Sequence, residues 1–562
     1  MKKKFTCIKA GLLFLYFFLI LIGIVLNPEI KNIEKEEIQK NNEKKYATLV
    51  DSKGQFIVYN KEEYEAWIDI EFLKRRNFYN TYKYILNSRY SDEQIENRTF
   101  LKWGRYETYG EALEDLGTLA TFASITTINE RIYNEFLNIY QIIGKVDNTQ
   151  FGIETYLKNK RMLENEERIE ISLDLKLQSM LEEELEKIVK EREAEGAIGI
   201  IMNTKTGKIR ASVTTYPWNM AYMGYIEPGS TLKPMLYALA LDQNIVHFEE
   251  IFNPPQTIKP LDNINFTVSE IENRYFGETN LKNALIHSSN VIMIQTIQRM
   301  MEEYSTELLY TNLVKMGFGE KTNIEFEGEI RGILPNPRDW YPITPYQFAI
   351  GQGIGVTPIQ LLSSFNAVIN DGTYVKPTLL NDAEIETYQL YSTRTSEILR
   401  EWMSYITISG TARGAHIDGI RVGGKTGTAE KALPGIGYTK ENYYSLFTGY
   451  YPATNPIYTF LIIVDNPKGE YYGGEVAAPI ITKLFYDYHK SENTYSEQKE
   501  ILFYEYMPNL QNKSTIEAYN ILLNLGIKSE KIVFSGNGDS VKDQMPKSGT
   551  NLSQIEYIQL FF

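Results

Sequence analysis

Apolar and polar positions alternate in three different ways along the chain. Near the start, Ala10 to Leu26 is an uninterrupted apolar run behind Lys2, Lys3 and Lys4. It is at the short end of the roughly 20 residues a spanning helix needs, and Cys7 and Ile8 can extend it. No small-x-small cleavage site follows; Asn27-Pro28-Glu29 comes next. A cleaved signal peptide would have a shorter apolar region ending in small residues, so the run predicts an uncleaved signal anchor. The basic flank then stays in the cytoplasm, and residues after about 30 lie outside a single-pass cytoplasmic membrane span. A polar stretch, "EIKNIEKEEIQKNNEKK", follows as a solvated stalk.

From about residue 46 the pattern changes. "ATLVDSKGQFIVYN" predicts two short strands around Ser52-Lys53-Gly54, and short apolar pieces alternate with charged ones up to about residue 168. "LDLKLQSMLEEELEKIVKEREAEG" has Leu177, Leu181, Leu185 and Val189 four apart, which predicts an amphipathic helix ending near Gly196. "AIGIIMNTKTGKIRASVTT" predicts a hairpin turning between Asn203 and Gly207. Far along the chain, "IRVGGKTGTA", "SLFTGYYPA" and "IYTFLIIVDNP" predict three successive strands, and "EVAAPIITKLFYDYH" a closing helix. The expected class is α+β: one antiparallel sheet made of an early hairpin and late strands, helices on its faces, and a helical insertion between. A polar linker, "KSENTYSEQKE", then leads to a tail from about 505 to 562 that reads strand, helix, strand, strand. No short-period repeat is present.

Composition narrows the function. With 562 residues and 43% hydrophobic content, the chain can bury large cores in two to four domains. A net charge of −14 without a basic stripe excludes binding along a phosphate backbone, so no nucleic-acid partner is expected. The one cysteine, Cys7, lies in or beside the apolar run, so the remainder has neither disulfides nor cysteine metal sites. The four histidines, His247, His287, His416 and His489, are not at ligand spacing, and no metal site is expected.

The candidate chemistry begins at "YIEPGSTLKPMLYALAL". Ser230 there could be a helix cap and Lys233 a solvated first-turn residue. Residues three apart on a helix also share a face, and a lysine beside a serine hydroxyl can take its proton. Single motifs of this kind are weak, and the chain carries decoys: Ser496–Lys499 for Ser-x-x-Lys, Ser491–Asn493 and Ser535–Asn537 for Ser-x-Asn, Lys205–Gly207 for Lys-Thr-Gly. One set runs in order within one folded unit: Ser230-Thr231-Leu232-Lys233, Ser288-Ser289-Asn290, and Lys425-Thr426-Gly427-Thr428. That order is the signature of class A β-lactamases and penicillin-binding proteins. In such a site Ser230 is the nucleophile and Lys233 the base, provided burial, the helix N-terminus and a second cation at Lys425 keep it neutral. Ser288 can relay a proton, Asn290 can hold a peptide amide, and Lys425, Thr426 and Thr428 suit a terminal carboxylate. Gly423, Gly424 and Gly427 are expected to leave room for a substrate strand at the sheet edge.

With "EPGSTLKP", "HSSNVIM", "AIGQGIGVTPIQ", "GTARGAHIDGIRVGGKTGTAEK" and "YYPATNPIYTFLIIVDNP" in this order, the chain closely resembles the class B penicillin-binding proteins from about residue 143 to 485. Between about 30 and 142 the likeness thins: "VDSKGQFI" is similar to the family's opening turn but lacks its arginines. The tail, with "STIEAYNILLNLGI" and "GDSVKDQMPKSGT", resembles one PASTA domain. The resemblance implies a cytoplasmic tail and anchor (1–30), a stalk and pedestal (31–168), a transpeptidase domain of the penicillin-binding, serine β-lactamase-like fold (169–490), a linker (491–504) and a PASTA-like domain (505–562). It implies a serine D,D-transpeptidase acting on peptidoglycan stem peptides, acylated by β-lactams and needing no cofactor, with the N–H groups of Ser230 and Thr428 as the oxyanion hole. Partners implied are the cytoplasmic membrane, a SEDS-type glycosyltransferase and divisome proteins, with the PASTA-like tail favouring a septal role. A bifunctional relative would carry a Glu-Asp-x-x-Phe-x-x-His-x-Gly glycosyltransferase motif, which is missing. A β-lactamase would carry the Glu-x-x-x-Asn pattern of its water-holding loop after Asn290, which is not evident. A catalytically minor scaffold that recruits a lipid-II polymerase, or a penicillin-hydrolysing or penicillin-sensing relative, is the alternative.

Overall fold

The computed structural model describes residues 45–134, 139–146, 148–270, 276–417, 420–433, 437–491, 507–524, 527, 531–536, 538, 540–548, 550 and 557–562. The expected membrane anchor lies outside these residues. Among them no helix is long and apolar enough to cross a membrane.

The early strand pair forms as expected, but its second strand is far longer than the pattern showed. Thr48–Val50 pairs with Phe56–Asp69, which also pairs with Phe100–Tyr106 and Ala123–Tyr133; Arg168–Glu170 completes a five-stranded sheet. The charges of "NKEEYE" hid the long strand because the expected polar-out alternation fails there. Glu63 and Glu65 are buried, and each is paired with a cation on the neighbouring strand, Arg105 and Lys102 respectively. Asp51 organises the tight turn by accepting from the N–H groups of Lys53 and Gln55, both at 2.8 Å. It also accepts from Leu175 N–H, which ties this sheet to the helix that follows.

That helix, α1 (Leu175–Glu191), is capped by Asp174, whose carboxylate accepts from Lys176 and Leu177 N–H. Leu177, Leu181 and Leu185 are fully buried, as their spacing predicts, and each contributes about 1.5–3 kcal/mol of burial. They pack on the central sheet, whose strands are β1 (Gly196–Asn203), β2 (Ile209–Thr214), β3 (Gly423–Leu433), β4 (Gly437–Tyr451) and β5 (Tyr458–Asp465). The spatial order is β3-β4-β5-β1-β2, antiparallel throughout, so the early hairpin and the late strands join as expected. Strand β1 reads as an unbroken apolar run because both faces are covered. Ile198, Ile200 and Met202 face the larger core with the helical insertion, while Ala197 and Ile201 face α1 and the closing helix.

Helix α2 (Lys233–Asp242) runs through the middle of the larger core and is buried from Lys233 to Leu241. A helix that is apolar all round belongs in such a place, and it explains why this segment shows no polar face. Helix α3 (Asn290–Glu303) lies in the insertion, and α4 (Ala478–Ser491) closes the unit against α1.

The tail has its own core of Met507, Leu510, Ala518, Leu522, Ile532, Val541, Ile558 and Leu560. The expected leading strand is not found among its described residues: Met507 to Leu510 forms no strand, and Pro508 has no N–H to offer a ladder. Instead a helix (Thr515–Asn524) precedes three strands. The last, Ile558–Phe561, lies between Ile532–Ser535 and Asp543–Met545.

Candidate active site

Ser230 does not cap its helix. It sits in a 3₁₀ turn, Gly229–Leu232, that runs directly into α2 without any side-chain cap. The turn packs on β3: a Cβ at Gly229 would meet Ala429 Cβ at 3.2 Å. Strand β3 is an edge of the sheet, paired only with β4, so its other side is open to a ligand strand. Ser230, Ser288, Thr426, Gly427 and Thr428 line one cleft along that edge. Lys233 and Lys425 lie beneath it, fully buried.

The decoys fall elsewhere. Lys205 is in the β1–β2 turn, ion-paired to Asp371 at 2.7 Å. Ser491 ends α4, its hydroxyl on Tyr488 O, and Ser535 ends a tail strand. Ser496 lies outside the described residues.

Lys233 Nζ reaches back under the Ser-Ser-Asn turn. It donates to Asn290 Oδ1 at 2.6 Å, Ser288 O at 2.8 Å and Ser289 O at 3.2 Å, with Ser288 Oγ at 3.4 Å. Asn290 thus accepts from the lysine through Oδ1, while its Nδ2 donates to Ser269 O at 3.2 Å. Among the described residues no hydrogen bond joins Ser230 Oγ to Lys233. Unliganded sites often show catalytic contacts that tighten only when substrate arrives. Burial pushes Lys233 down from its ordinary value to about 7, although the negative charge of Glu270 works against that. A lysine at that value is half neutral at working pH and can accept a proton.

Lys425 sharpens one expectation. A second cation there is expected, together with burial and the helix N-terminus, to lower Lys233. Burial, and then the charge of Lys233, push Lys425 itself well below its ordinary value. Its Nζ donates to Thr426 O at 3.0 Å, and among the described residues no carboxylate pairs with it. Two ammonium groups buried together repel, so burial disfavours charge on both.

The glycines of β3 correct another. They do not hold space for a substrate strand; the protein fills that space itself. A Cβ at Gly423 would sit 2.2 Å from the Tyr450 ring, one at Gly424 2.4 Å from Thr448 O, and one at Gly427 2.9 Å from Thr231. These positions let the sheet and the Ser230 turn close on each other.

Sequence reasoning missed Glu270. It follows the short strand Val268–Ser269 and is buried. Its carboxylate accepts from Ser289 Oγ at 2.5 Å, Asn290 N–H at 2.8 Å and Val291 N–H at 3.3 Å, at the N-terminus of α3. Ser288, just before, takes the left-handed conformation with φ 62°, which a non-glycine residue keeps only where its surroundings hold it. Glu270 thus holds the turn that positions Ser288 and Asn290. Nothing in its sequence context marked it, since a lone glutamate in "FTVSEIEN" reads as solvated. Glu270→Gln is expected to lose about 2 kcal/mol of stability, as a charge-assisted bond is lost and an amide N–H faces a backbone N–H. It should also lower the Lys233 titration midpoint further, because the one negative charge that raises it among the described residues is gone. Denaturant unfolding and NMR of labelled lysine read the two effects; an unmoved Lys233 midpoint would mean that Glu270 acts through shape alone.

A comparison with described families matches the "Penicillin binding protein transpeptidase domain" to residues 197–486, more than half of the chain. Among curated proteins, the chain is 27% identical over 430 residues to stage V sporulation protein D of Bacillus subtilis, covering 70% of this chain and 65% of that protein. It is 31% identical over 338 residues to the peptidoglycan D,D-transpeptidase FtsI of Buchnera aphidicola, covering 57% of each. The chain thus spans between about half and two thirds of the length of these relatives. Among solved structures, the transpeptidase domain of Burkholderia pseudomallei penicillin-binding protein 3 is 26% identical with TM-score 0.53, covering 57% of this chain and 96% of that one. Penicillin-binding protein 3 of Mycobacterium tuberculosis, solved with aztreonam, shares the fold at 20% identity and TM-score 0.62, covering 80% of this chain and 96% of that one. The matched residues contain all three motifs, and the chain belongs to the penicillin-binding protein transpeptidase family, on its class B branch.

Proposed function

We propose that the protein is a serine D,D-transpeptidase that cross-links peptidoglycan stem peptides and is acylated by β-lactams. The observation that carries this is the convergence of Ser230, the Lys233–Ser288–Asn290 cluster and Lys425–Thr428 on one cleft beside a free sheet edge. The names of the relatives support it, as does the Mycobacterium tuberculosis relative solved with aztreonam.

The site residues take these roles. Neutral Lys233 removes the proton of Ser230 Oγ, which attacks the carbonyl carbon between the two D-alanines of a donor stem. The C–Oγ bond forms and the C–N bond breaks. The proton passes from Lys233 through Ser288 to the leaving D-alanine nitrogen. Thr426, Thr428 and the Lys425 ammonium hold the terminal carboxylate, and the N–H groups of Ser230 and Thr428 receive the developing oxyanion. An acceptor amine then reverses these steps, forming the cross-link and freeing Ser230. Acyl transfer of this kind is complete with a nucleophile, a base and an anion hole. The apolar run at 10–26 is read as the anchor that places residues after about 30 outside the cytoplasmic membrane. Residues 31–168 are read as a stalk and pedestal and 505–562 as a PASTA-like domain. The septal role and the SEDS-type and divisome partners belong to the same reading.

Incubating the full chain with a peptide ending in D-Ala-D-Ala tests the core of it. Free D-alanine and an acyl mass on the peptide containing Ser230 are expected. Specific ligand binding without D-alanine release would favour the scaffold alternative instead.

A further inference from the structure

The cleft carries two charges that the mechanism above does not use. Arg413 and Glu475 line it together with Ser230 and Thr426. Both side chains are exposed to the cleft, and among the described residues neither has an ion-pair or hydrogen-bond partner. Their backbones are nonetheless locked. Glu475 sits on the helical turn Gly473–Val476, which presses on β3 and on the 411 loop. A Cβ at Gly473 would lie 2.5 Å from Gly427 O, and one at Gly474 1.9 Å from Thr411 O. Arg413 opens the neighbouring turn, Arg413–Ala415, and the Glu475 carboxylate lies over it: a Cβ at Gly414 would be 2.7 Å from Oε2. The two charges therefore stand side by side on one wall.

Their position identifies the part of the substrate they face. Thr426, which takes the donor's terminal carboxylate in the reading above, shares a hydroxyl hydrogen bond with Thr411, two residues before Arg413. Arg413 and Glu475 are thus on the side of the cleft from which D-alanine leaves. The acceptor must enter by the same side, because amide formation is the reverse of the acylation step with a new amine. D-Alanine carries an ammonium and a carboxylate on one carbon, and a cation beside an anion is the complement of that head group.

Resting on the transpeptidase reading, we propose that Arg413 and Glu475 form the acceptor subsite and select an amine whose carbon also bears a carboxylate. Arg413 adds a cation to the Lys425, Thr426 and Thr428 contacts on the carboxylate, and Glu475 captures the ammonium before it reacts. The ammonium then gives one proton to the neutral Lys233 amine; its nitrogen attacks the acyl carbon, the C–Oγ bond breaks, and the second proton goes to Ser230 Oγ. The acceptor stem that fits has a diamino-dicarboxylic acid at the cross-linking position, with an intact α-amino-acid end. A lysine side chain, with a lone ammonium, leaves Arg413 unused.

The test uses the full chain, an N-acylated D-alanyl thioester as donor, and two acceptors, D-alanine and D-alaninamide, which differ only in the carboxylate. The readout is the ratio of the two amide products, and how a variant changes it, so general damage to the site cancels. Arg413→Gln should lower the preference for D-alanine about tenfold, the size of one charge-assisted hydrogen bond. Arg413→Glu should lower it further. Glu475→Gln should weaken both acceptors together and leave their ratio alone. A ratio unchanged in both Arg413 variants, or unchanged yields in Glu475→Gln, would overturn the subsite while leaving the donor reaction standing. If the wild-type chain forms no acyl-enzyme from the thioester or from penicillin, the transpeptidase reading itself falls, and the subsite with it.

Discussion

Ser230→Ala abolishes the covalent penicillin adduct and leaves the fold in place: this is the expected result of labelling the variant with a fluorescent penicillin. Both halves follow from the site. The Ser230 hydroxyl has no hydrogen-bond partner among the described residues, so its removal leaves no buried group unpaired. The turn that carries it is held by packing on β3 and by the Gly229 N–H to Gly351 O bond, neither of which involves Oγ. The stability change should stay within about 0.5 kcal/mol. The chemical loss is of another order. Removal of the nucleophile in serine hydrolases costs on the order of 10⁶ in rate, which here means no detectable adduct. Ser496→Ala, at the decoy motif, should label like the wild type. A stable penicilloyl adduct on the Ser230→Ala chain would move the nucleophile elsewhere and undo the assignment of all three motifs.

The parts of this protein that could be read without coordinates are those whose signal is local. Strands β1 and β5 were visible because both of their faces are buried, so residues 197–202 and 460–464 run without a polar side chain. Helix α1 was visible because one face meets the sheet and the other meets water. The long strand Phe56–Asp69 was not, because Glu63 and Glu65 are neutralised by cations brought from another strand, and that pairing exists only in three dimensions. The same contrast runs through the site. Ser230, Ser288 and the Lys425–Thr428 strand could be found from order and spacing. Glu270 could not, since its three hydrogen-bond donors all lie about 20 residues further along the chain. Nor could Arg413 and Glu475, which are brought onto one wall by glycines whose tight packing is invisible until the neighbouring strand is in place. The state of the two lysines was the hardest to read. Each is an ordinary cation in sequence, and their mutual effect depends on both being buried together.

That coupling leads to the prediction with the most to say about mechanism. Lys233→Arg should acylate at least about 100-fold more slowly than wild type, since a general base typically supplies 10²–10⁴ and arginine cannot become neutral at working pH. Lys425→Arg keeps the charge that the carboxylate needs and should retain more activity than Lys425→Ala. The pH dependence follows from the lysine's displaced value. Below about pH 7 Lys233 is protonated in the free enzyme, the base is missing, and acylation efficiency at low β-lactam should fall tenfold per unit; above it the rate should level off. Substrate changes the balance. Its carboxylate gives Lys425 a counter-charge that none of the described residues supplies, which favours the Lys425 ammonium. That new cation in turn disfavours protonation of Lys233. The acidic limb measured at saturating β-lactam should therefore lie at lower pH than the limb measured at low concentration, and the two midpoints describe the pair rather than either lysine alone. Lys425→Ala should erase the difference, because no cation forms there on binding. The measurement is acylation of the wild type and the three variants by stopped-flow across pH 5 to 9. Coincident limbs in the wild type, or a Lys233→Arg chain as fast as Lys425→Arg, would show that the substrate does not switch the base on and that Lys233 is not the group that takes the proton of Ser230.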